Sequence, residues 1–186
     1  MDNLAKIFRA LEFAANRHKY QTRKGKGKTP YINHPILVAK TLLTCDEDDT
    51  DLIISALLHD VVEDTAQGEK QIKELSNIIL SMFGENVLLT VLEVSDNKSL
   101  PVDERKQLQI QLTPKLSDRA KKLKIADKIC NIHDIISDPP EGWSEDRKLA
   151  YIYWAKQVVN GARGLNPELD QMFDEIFEKS IHKLEQ

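Results

Sequence analysis

The most constraining feature of this 186-residue chain is an apolar run that ends in a cluster of ionisable side chains. Residues 52–58 are hydrophobic at nearly every position, which predicts a helix buried on almost all sides. The next six residues nevertheless include His59, Asp60, Glu63 and Asp64. Because buried charges are costly unless they are paired or bind a metal, these residues predict a metal site with an acid/base pair one helical turn further on.

Helical periodicity and the absence of alternating strand patterns predict an all-α fold. Helices are predicted at residues 3–19, 36–44, 50–63, 69–83, 85–95, 103–113, 117–136, 145–160 and 167–182. A loop rich in Gly and Lys fills residues 20–33, with room for one short hairpin near residues 22–32. We expect residues 1–186 to form a single domain, because this length suits one hydrophobic core.

Two further ligand candidates lie outside the first cluster. His34 precedes Pro35, which suits the first turn of a helix, so we expect His34 at a loop-to-helix junction. Asp127 lies beside the apolar stripe of a predicted helix, where a lone carboxylate is more often a packing or salt-bridge residue. His34, His59, Asp60 and Asp127 would together form a set of two histidines and two carboxylates. Such a set suits Mn²⁺, Fe²⁺ or Zn²⁺ rather than Ca²⁺.

Charge is distributed unevenly along the chain, although the net charge is only −4. No acidic residue occurs from Phe13 to Cys45, whereas seven Lys or Arg residues lie in that segment. Because His34 also lies there, we expect an anionic substrate that carries phosphate. Nucleic acid is not expected as a partner, because the whole chain is acidic and carries no nucleic-acid-binding motif.

The sequence contains neither a membrane-spanning run nor the pattern of a signal peptide. No apolar stretch approaches the ~20 residues that a membrane-spanning helix needs, and the first residues are not basic and then apolar. Cys45 and Cys130 are isolated in apolar segments, which favours two buried free thiols. We therefore expect a cytoplasmic protein with no membrane partner.

Several longer motifs of this chain resemble one family closely. The motifs are RKG at 23–25, PYINHP at 30–35, ALLHDVVEDT at 56–65, DNKSLP at 96–101, KIADK at 124–128 and PEGWSE at 140–145. In this order and spacing they resemble the hydrolase domain of the RelA/SpoT homologues, within the HD phosphohydrolase superfamily. Among these proteins the chain is most similar to the small stand-alone, Mesh-type alarmone hydrolases. The resemblance covers roughly residues 4–180.

This resemblance implies an HD-domain helical bundle and a specific reaction. Members of the family hydrolyse the 3′-diphosphate of ppGpp and pppGpp, which releases pyrophosphate and GDP or GTP, and their metal is Mn²⁺. Carried over to this chain, the metal ligands are His34, His59, Asp60 and Asp127, and the catalytic acidic pair is Glu63 and Asp64. The implied partner is the nucleotide substrate, and oligomeric state is not implied.

Four further residues match family positions around the substrate, and two more lie one helical turn from Asp127 or Arg147, although each of the six could also be an ordinary surface or packing residue. They are expected to contact the nucleotide or its phosphates through cationic, amide or phenol groups. These residues are Arg23, Lys24, Lys98, Asn131, Arg147 and Tyr151. One position departs from the family pattern, because His133 stands where an Arg is usual.

Two alternatives to alarmone hydrolysis stay open. The first is NADPH 2′-phosphatase activity, or hydrolysis of another nucleotide at the same site, and NADPH would give phosphate rather than pyrophosphate. The second is a non-catalytic module in which the metal is structural or the pocket only senses alarmone. The intact pair of Glu63 and Asp64 disfavours this second alternative.

Overall fold

The structure is a computed structural model that describes residues 2–185. Ten α-helices follow one another in this range, together with one 3₁₀ turn at Thr113–Lys115. The helices are α1 (Asn3–Arg17), α2 (Asn33–Thr44), α3 (Thr50–Leu58), α4 (Val61–Thr65), α5 (Gly68–Phe83), α6 (Glu85–Val94), α7 (Val102–Leu112), α8 (Asp118–Ser137), α9 (Glu145–Asn160) and α10 (Pro167–Leu184). The predicted all-α fold is confirmed.

Polar side chains cap four of the helices and set where they begin. Asp49 precedes α3, and its carboxylate accepts hydrogen bonds from backbone N–H groups in the first turn. Ser117, Ser144 and Asn166 cap α8, α9 and α10 in the same way. These caps satisfy N–H groups that have no partner within the helix, so the four helices begin within one residue of their predicted starts.

The helix predicted over 50–63 is interrupted at the ionisable residues. His59 and Asp60 lie in a turn between α3 and α4. The side-chain Nδ1–H of His59 donates to the carbonyl oxygen of Ala56 at 2.8 Å. In a continuous helix that oxygen would accept the backbone N–H of Asp60, so the side chain competes with the helix.

Helix α2 begins three residues before its predicted start. It begins at Asn33, so His34 lies in the first helical turn, at the predicted junction between loop and helix. The N–H groups of Asn33 and His34 donate to the carbonyls of Pro30 and Tyr31, at 3.1 and 2.9 Å. Pro35 is tolerated in this turn because its missing N–H would have no helical partner there. The result is a His34 side chain that points into the protein and is buried.

The loop between α1 and α2 closes as a short hairpin, as predicted. An antiparallel bridge joins Thr22 to Pro30, and a second bridge joins Gly25 to Pro140. A Cβ atom on Gly25 would lie only 2.1 Å from a carboxylate oxygen of Asp138. Glycine therefore allows the hairpin to lie directly against the end of α8.

One buried core draws residues from every helix except α7. Helix α3, whose residues 52–58 are all buried, packs on α1, α2, α6 and α8, while α8 also packs on α2, α9 and α10. This arrangement brings the end of α3, the start of α2 and the middle of α8 together. A single domain over 1–186 stays a prediction, and its end residues Met1 and Gln186 lie outside the described range.

Two other predictions concern thiols and location. Cys45 and Cys130 are buried free cysteines, in agreement with the expectation from their apolar surroundings. Within residues 2–185, no helix combines the length and the apolar character needed to cross a membrane. The cytoplasmic location stays a prediction.

Candidate active site

Four side chains converge where α2, α3 and α8 meet, and we call His34, His59, Asp60 and Asp127 the His/Asp cluster. His34 Nε2 lies 3.1 Å from Asp127 Oδ1 and 3.8 Å from Asp60 Oδ2. His59 Nε2 lies 3.0 Å from Asp60 Oδ2 and 3.8 Å from Asp127 Oδ1. Ligand atoms around one ion with bonds of about 2.1 Å are separated by about 3 to 4 Å. Ligand atoms of His34, His59 and Asp127 all lie within 4.8 Å of one another, so these three residues could hold a single ion. Asp60 Oδ2 lies beside both histidines and stays the predicted fourth ligand.

The His59 ring is oriented with Nε2 toward the other members of the cluster. Its Nδ1–H donates to the carbonyl of Ala56, which leaves Nε2 as the free ligand nitrogen of the neutral ring. Nε2 is buried without a hydrogen bond, although an oxygen of Asp60 lies 3.0 Å away. A buried nitrogen in this position fits a metal ligand, and the donor set as a whole suits a divalent metal.

The carboxylates give the cluster a negative potential. Burial disfavours the charged imidazole of His59, but Asp60 and Asp127 outweigh burial and raise its pKa to about 9. At His34 burial prevails and lowers the pKa. Burial also opposes ionisation of Asp127, yet Lys128 and His34 hold its pKa well below the usual range. A divalent cation would replace the proton of His59 and leave both imidazoles neutral.

Neighbouring side chains orient the two carboxylates. The Tyr31 hydroxyl donates to Asp60 Oδ2 at 2.7 Å, and the Asn131 amide donates to Asp127 Oδ1 at 2.6 Å. Lys128 Nζ lies 3.1 Å from Asp127 Oδ2, and its side chain is buried. Sequence reasoning gave no site role to Tyr31 or Lys128. Tyr31 lies three residues before His34, and Lys128 directly follows Asp127. This closeness in sequence to predicted ligands was the one indication of a role beside the metal site.

Removal of the Tyr31 hydroxyl is expected to weaken metal binding. Tyr31→Phe keeps the ring but leaves Asp60 Oδ2 without its 2.7 Å donor, so the carboxylate loses its fixed orientation. We expect metal affinity to fall roughly tenfold or more, as is typical when a partner of a ligand is removed. Metal titration followed by calorimetry measures this change. Tyr153→Phe, at an exposed position, is the matched control, and equal affinities in the two variants would contradict the assigned role.

A cavity of about 130 Å³, the site cavity, opens beside the cluster. All four members of the cluster line it, so an ion bound there would be accessible to a substrate. The other polar residues in its wall are Arg23, Tyr31, Glu63, Asp96, Gln109, Lys124, Lys128 and Asn131. Lys124, another residue to which sequence reasoning gave no role, is buried, and its Nζ donates to the carbonyl of Val94 at 3.0 Å.

Glu63 and Asp64 occupy different positions relative to the site cavity. Glu63 lines the cavity, and its carboxylate accepts the backbone N–H of Asp96 at 2.9 Å. Burial raises the pKa of Glu63, which makes its carboxylate a stronger proton acceptor. Asp64 does not line the cavity and instead forms a salt bridge with Lys98. Lys98 Nζ also lies 3.6 Å from Glu63 Oε1, so the lysine bridges the acidic pair.

Arg23 and Asn131 both line the site cavity, as their predicted roles require. Arg23 Nη2 donates to Asn131 Oδ1 at 2.7 Å, and Arg23 Nε donates to Asp134 Oδ2 at 2.9 Å. The guanidinium carbon lies 5.5 Å from the centre of the Tyr31 ring. The hairpin is thereby fixed to α8, and a pre-oriented guanidinium is presented to the cavity.

The other predicted substrate residues lie outside the wall of the site cavity. Lys24 is exposed on the hairpin. The guanidinium of Arg147 lies 4.5 Å from the centre of the Trp143 ring. Tyr151 packs between Trp143 and Trp154, at ring separations of 5.9 and 5.1 Å. These three side chains could contact only those parts of a substrate that extend beyond the cavity.

The sequence also matches a model of a known protein family. Residues 10–154 match the family model described as an HD domain. The chain belongs to the HD domain family. The HD assignment agrees with the adjacent His59 and Asp60 at the centre of the cluster. It also agrees with the all-helical fold that positions them.

Two relatives of this HD domain chain match it over nearly its whole length, and a third matches three quarters of it. It is 43% identical to the Drosophila melanogaster guanosine-3′,5′-bis(diphosphate) 3′-pyrophosphohydrolase MESH1, over 93% of each chain. It is 44% identical to the Homo sapiens protein of the same name, over 94% of each chain. The Escherichia coli (strain K12) bifunctional (p)ppGpp synthase/hydrolase SpoT is 30% identical over 75% of this chain and 19% of its own length.

A solved structure supports the same relationship. It is described as a metazoan ortholog of SpoT that hydrolyses ppGpp and plays a role in starvation responses. The HD domain chain matches it with a TM-score of 0.86 and 41% identity, over 94% of this chain and 95% of the other. The resemblance to the stand-alone hydrolases of the RelA/SpoT family is confirmed.

Proposed function

We propose that this HD domain protein is a metal-dependent guanosine-3′,5′-bis(diphosphate) 3′-pyrophosphohydrolase. It would convert ppGpp and pppGpp to GDP and GTP, with release of pyrophosphate. The observation that carries the proposal is the His/Asp cluster in the wall of one cavity with Glu63. Similarity over more than nine-tenths of the chain to proteins named for this activity supports it.

We propose Mn²⁺ as the resident metal. Two imidazole nitrogens and two carboxylate oxygens suit a divalent ion of borderline hardness, and they leave coordination positions open for water and substrate. When bound, such an ion would lower the pKa of a water and polarise a phosphoryl oxygen. His34, His59, Asp60 and Asp127 would hold it, and Tyr31 would keep the Asp60 carboxylate in its binding orientation.

Release of pyrophosphate by attack of water at phosphorus would change two bonds. The water oxygen forms a bond to the phosphorus that is attached to the ribose 3′ oxygen, and the bond between that phosphorus and O3′ breaks. O3′ takes a proton and becomes the hydroxyl of GDP or GTP. Glu63 would accept the proton of the attacking water, because it lines the cavity and burial raises its pKa. Asp64 would position Lys98 beside the phosphates.

Substrate binding would combine fixed and exposed cations. Arg23 is held by Asn131 and Asp134, so it would bind the nucleotide with little loss of side-chain freedom. Lys24 and Arg147 would contact the part of the nucleotide outside the cavity. Tyr151, packed between two tryptophans, would line the entrance beside Arg147.

A metal-dependence assay tests this function. Purified protein supplied with Mn²⁺ is expected to release GDP and pyrophosphate from ppGpp. Chelation with EDTA should reduce the rate to background, because the bound metal would activate the attacking water, and Mn²⁺ should restore it. Phosphate release from NADPH with no turnover of ppGpp would favour the 2′-phosphatase alternative. Nucleotide binding without turnover of either substrate would favour a sensor.

A further inference from the structure

A second cavity lies between α2 and α10, with α8 as its floor, and we call it the α2–α10 groove. Helices α2 and α10 both pack on α8, and the groove runs between them. Its volume is about 470 Å³, within the range of about 300–1,000 Å³ that is typical of small-molecule sites. It shares no lining residue with the site cavity.

The centre of the groove is apolar. Leu37 from α2, Ile129 from α8, and Met172 and Ile176 from α10 supply most of this surface. The Cys130 thiol lies in the floor, 3.5 Å from the hydroxyl of a threonine of α2, and is buried. Water that covers these side chains would be released by an apolar ligand, which is the main favourable contribution to binding such a ligand.

The border of the groove carries more positive than negative charge, because two lysines and one carboxylate line it. Lys40 and Lys179, one from each wall, are exposed, and neither forms a salt bridge within residues 2–185. The single carboxylate of the lining, Glu175, accepts a hydrogen bond from the neutral amide of Gln171. His133, the departure from the family pattern, also lies here. An apolar groove bordered by free lysines is complementary to an amphipathic anion.

We propose that the α2–α10 groove binds a free medium-chain carboxylate. The alkyl chain would lie on Leu37, Ile129 and Ile176, and the carboxylate would lie beside Lys40 and Lys179. Because α2 and α8 also carry members of the His/Asp cluster, a ligand here would contact two of the helices that hold the cluster. The groove is separate from the site cavity, so this proposal does not depend on the reaction proposed above.

Calorimetric titration of the whole protein tests the chemistry of the ligand. Decanoate, kept below its critical micelle concentration, should bind saturably at one site. Decyltrimethylammonium, with the same chain and opposite charge, should bind at least tenfold more weakly. The Lys40→Glu/Lys179→Glu double variant should weaken decanoate binding at least tenfold and remove the preference for the anion. Both positions are exposed, so circular dichroism and thermal unfolding should be unchanged.

Two further variants separate local effects from general ones. Lys73→Glu/Lys115→Glu makes the same change in net charge at exposed positions outside the groove, and it should bind decanoate as the unchanged protein does. Leu37→Asn should weaken the anion and the cation alike, because it removes apolar contact only.

Three results would overturn the proposal. The first is the absence of saturable decanoate binding. The second is equal loss of binding in the two double-lysine variants, which would indicate a general charge effect. The third is binding to phosphatidylglycerol vesicles without binding to monomeric decanoate, which would assign the groove to a membrane surface instead.

Discussion

Glu63→Gln is expected to reduce kcat for ppGpp hydrolysis by roughly a hundredfold or more. The amide cannot accept the proton of the attacking water, whereas its oxygen can still accept the Asp96 N–H that holds the side chain at 2.9 Å. The His/Asp cluster is unchanged, so affinity for the metal and for the nucleotide should be preserved. Single-turnover kinetics combined with metal and nucleotide titrations measure these quantities separately.

A matched control for this variant is Glu69→Gln, at an exposed position in the first turn of α5. It makes the same chemical change outside the site cavity and should leave kcat unaltered. Wild-type kcat in Glu63→Gln would exclude Glu63 as the proton acceptor. Loss of metal together with activity would instead assign Glu63 to the support of the cluster.

The largest loss is expected for Asp127→Asn. The substitution removes one of the two proposed ligand carboxylates, which lies 3.1 Å from His34 Nε2, and it leaves the buried ammonium of Lys128 without a charged partner. We expect metal affinity to fall by more than the roughly 10–100-fold typical of residues that only support ligands. Turnover should fall to background. An unpaired buried charge should also destabilise the fold by about 3–5 kcal/mol.

Two variants separate ligation from stability in this experiment. Asp118→Asn, in the first turn of the same helix, removes an exposed carboxylate and should change neither property. The double variant Asp127→Asn/Lys128→Met removes the unpaired charge, so it should recover much of the stability but none of the metal binding. Metal stoichiometry and kcat equal to those of the unchanged protein in Asp127→Asn would exclude this residue as a ligand.

Helix boundaries were predictable where local chemistry sets them. Asp49, Ser144 and Asn166 accept N–H groups of the turns that follow, and the helices begin where these residues indicate. The interruption at His59 was not predictable from periodicity, because it depends on a side chain that takes the carbonyl of Ala56 from the helix. The apolar pattern continues across this turn through Val61 and Val62, which are buried as well.

The grouping of the candidate ligands was predictable for a different reason. Ionisable residues beside a buried run must be paired or bind an ion, and this holds whether the helix continues or breaks. Tyr31 and Lys128 were missed because a tyrosine or lysine near an apolar stripe has many ordinary roles. Only the fold brings the Tyr31 hydroxyl to Asp60. Only the fold also places Lys128 Nζ 4.7 Å from the centre of the Trp154 ring.

The α2–α10 groove could not be anticipated from sequence. Its walls and floor come from three segments that are distant in the chain, and each has the composition of an ordinary amphipathic helix. From sequence, His133 was distinguished only by its departure from the family pattern. Its position in the groove becomes apparent when α2 and α10 are both packed on α8.

Hydrolysis of ppGpp in ¹⁸O-labelled water, with the Mn²⁺-loaded protein, tests the proposed reaction most directly. Attack of water on the phosphorus attached to O3′ should place one ¹⁸O atom in each pyrophosphate and none in GDP. Mass spectrometry of the two products measures both quantities in one experiment. Release of single phosphates in place of pyrophosphate, or label in the 3′ hydroxyl of GDP, would contradict the proposed 3′-pyrophosphohydrolase reaction.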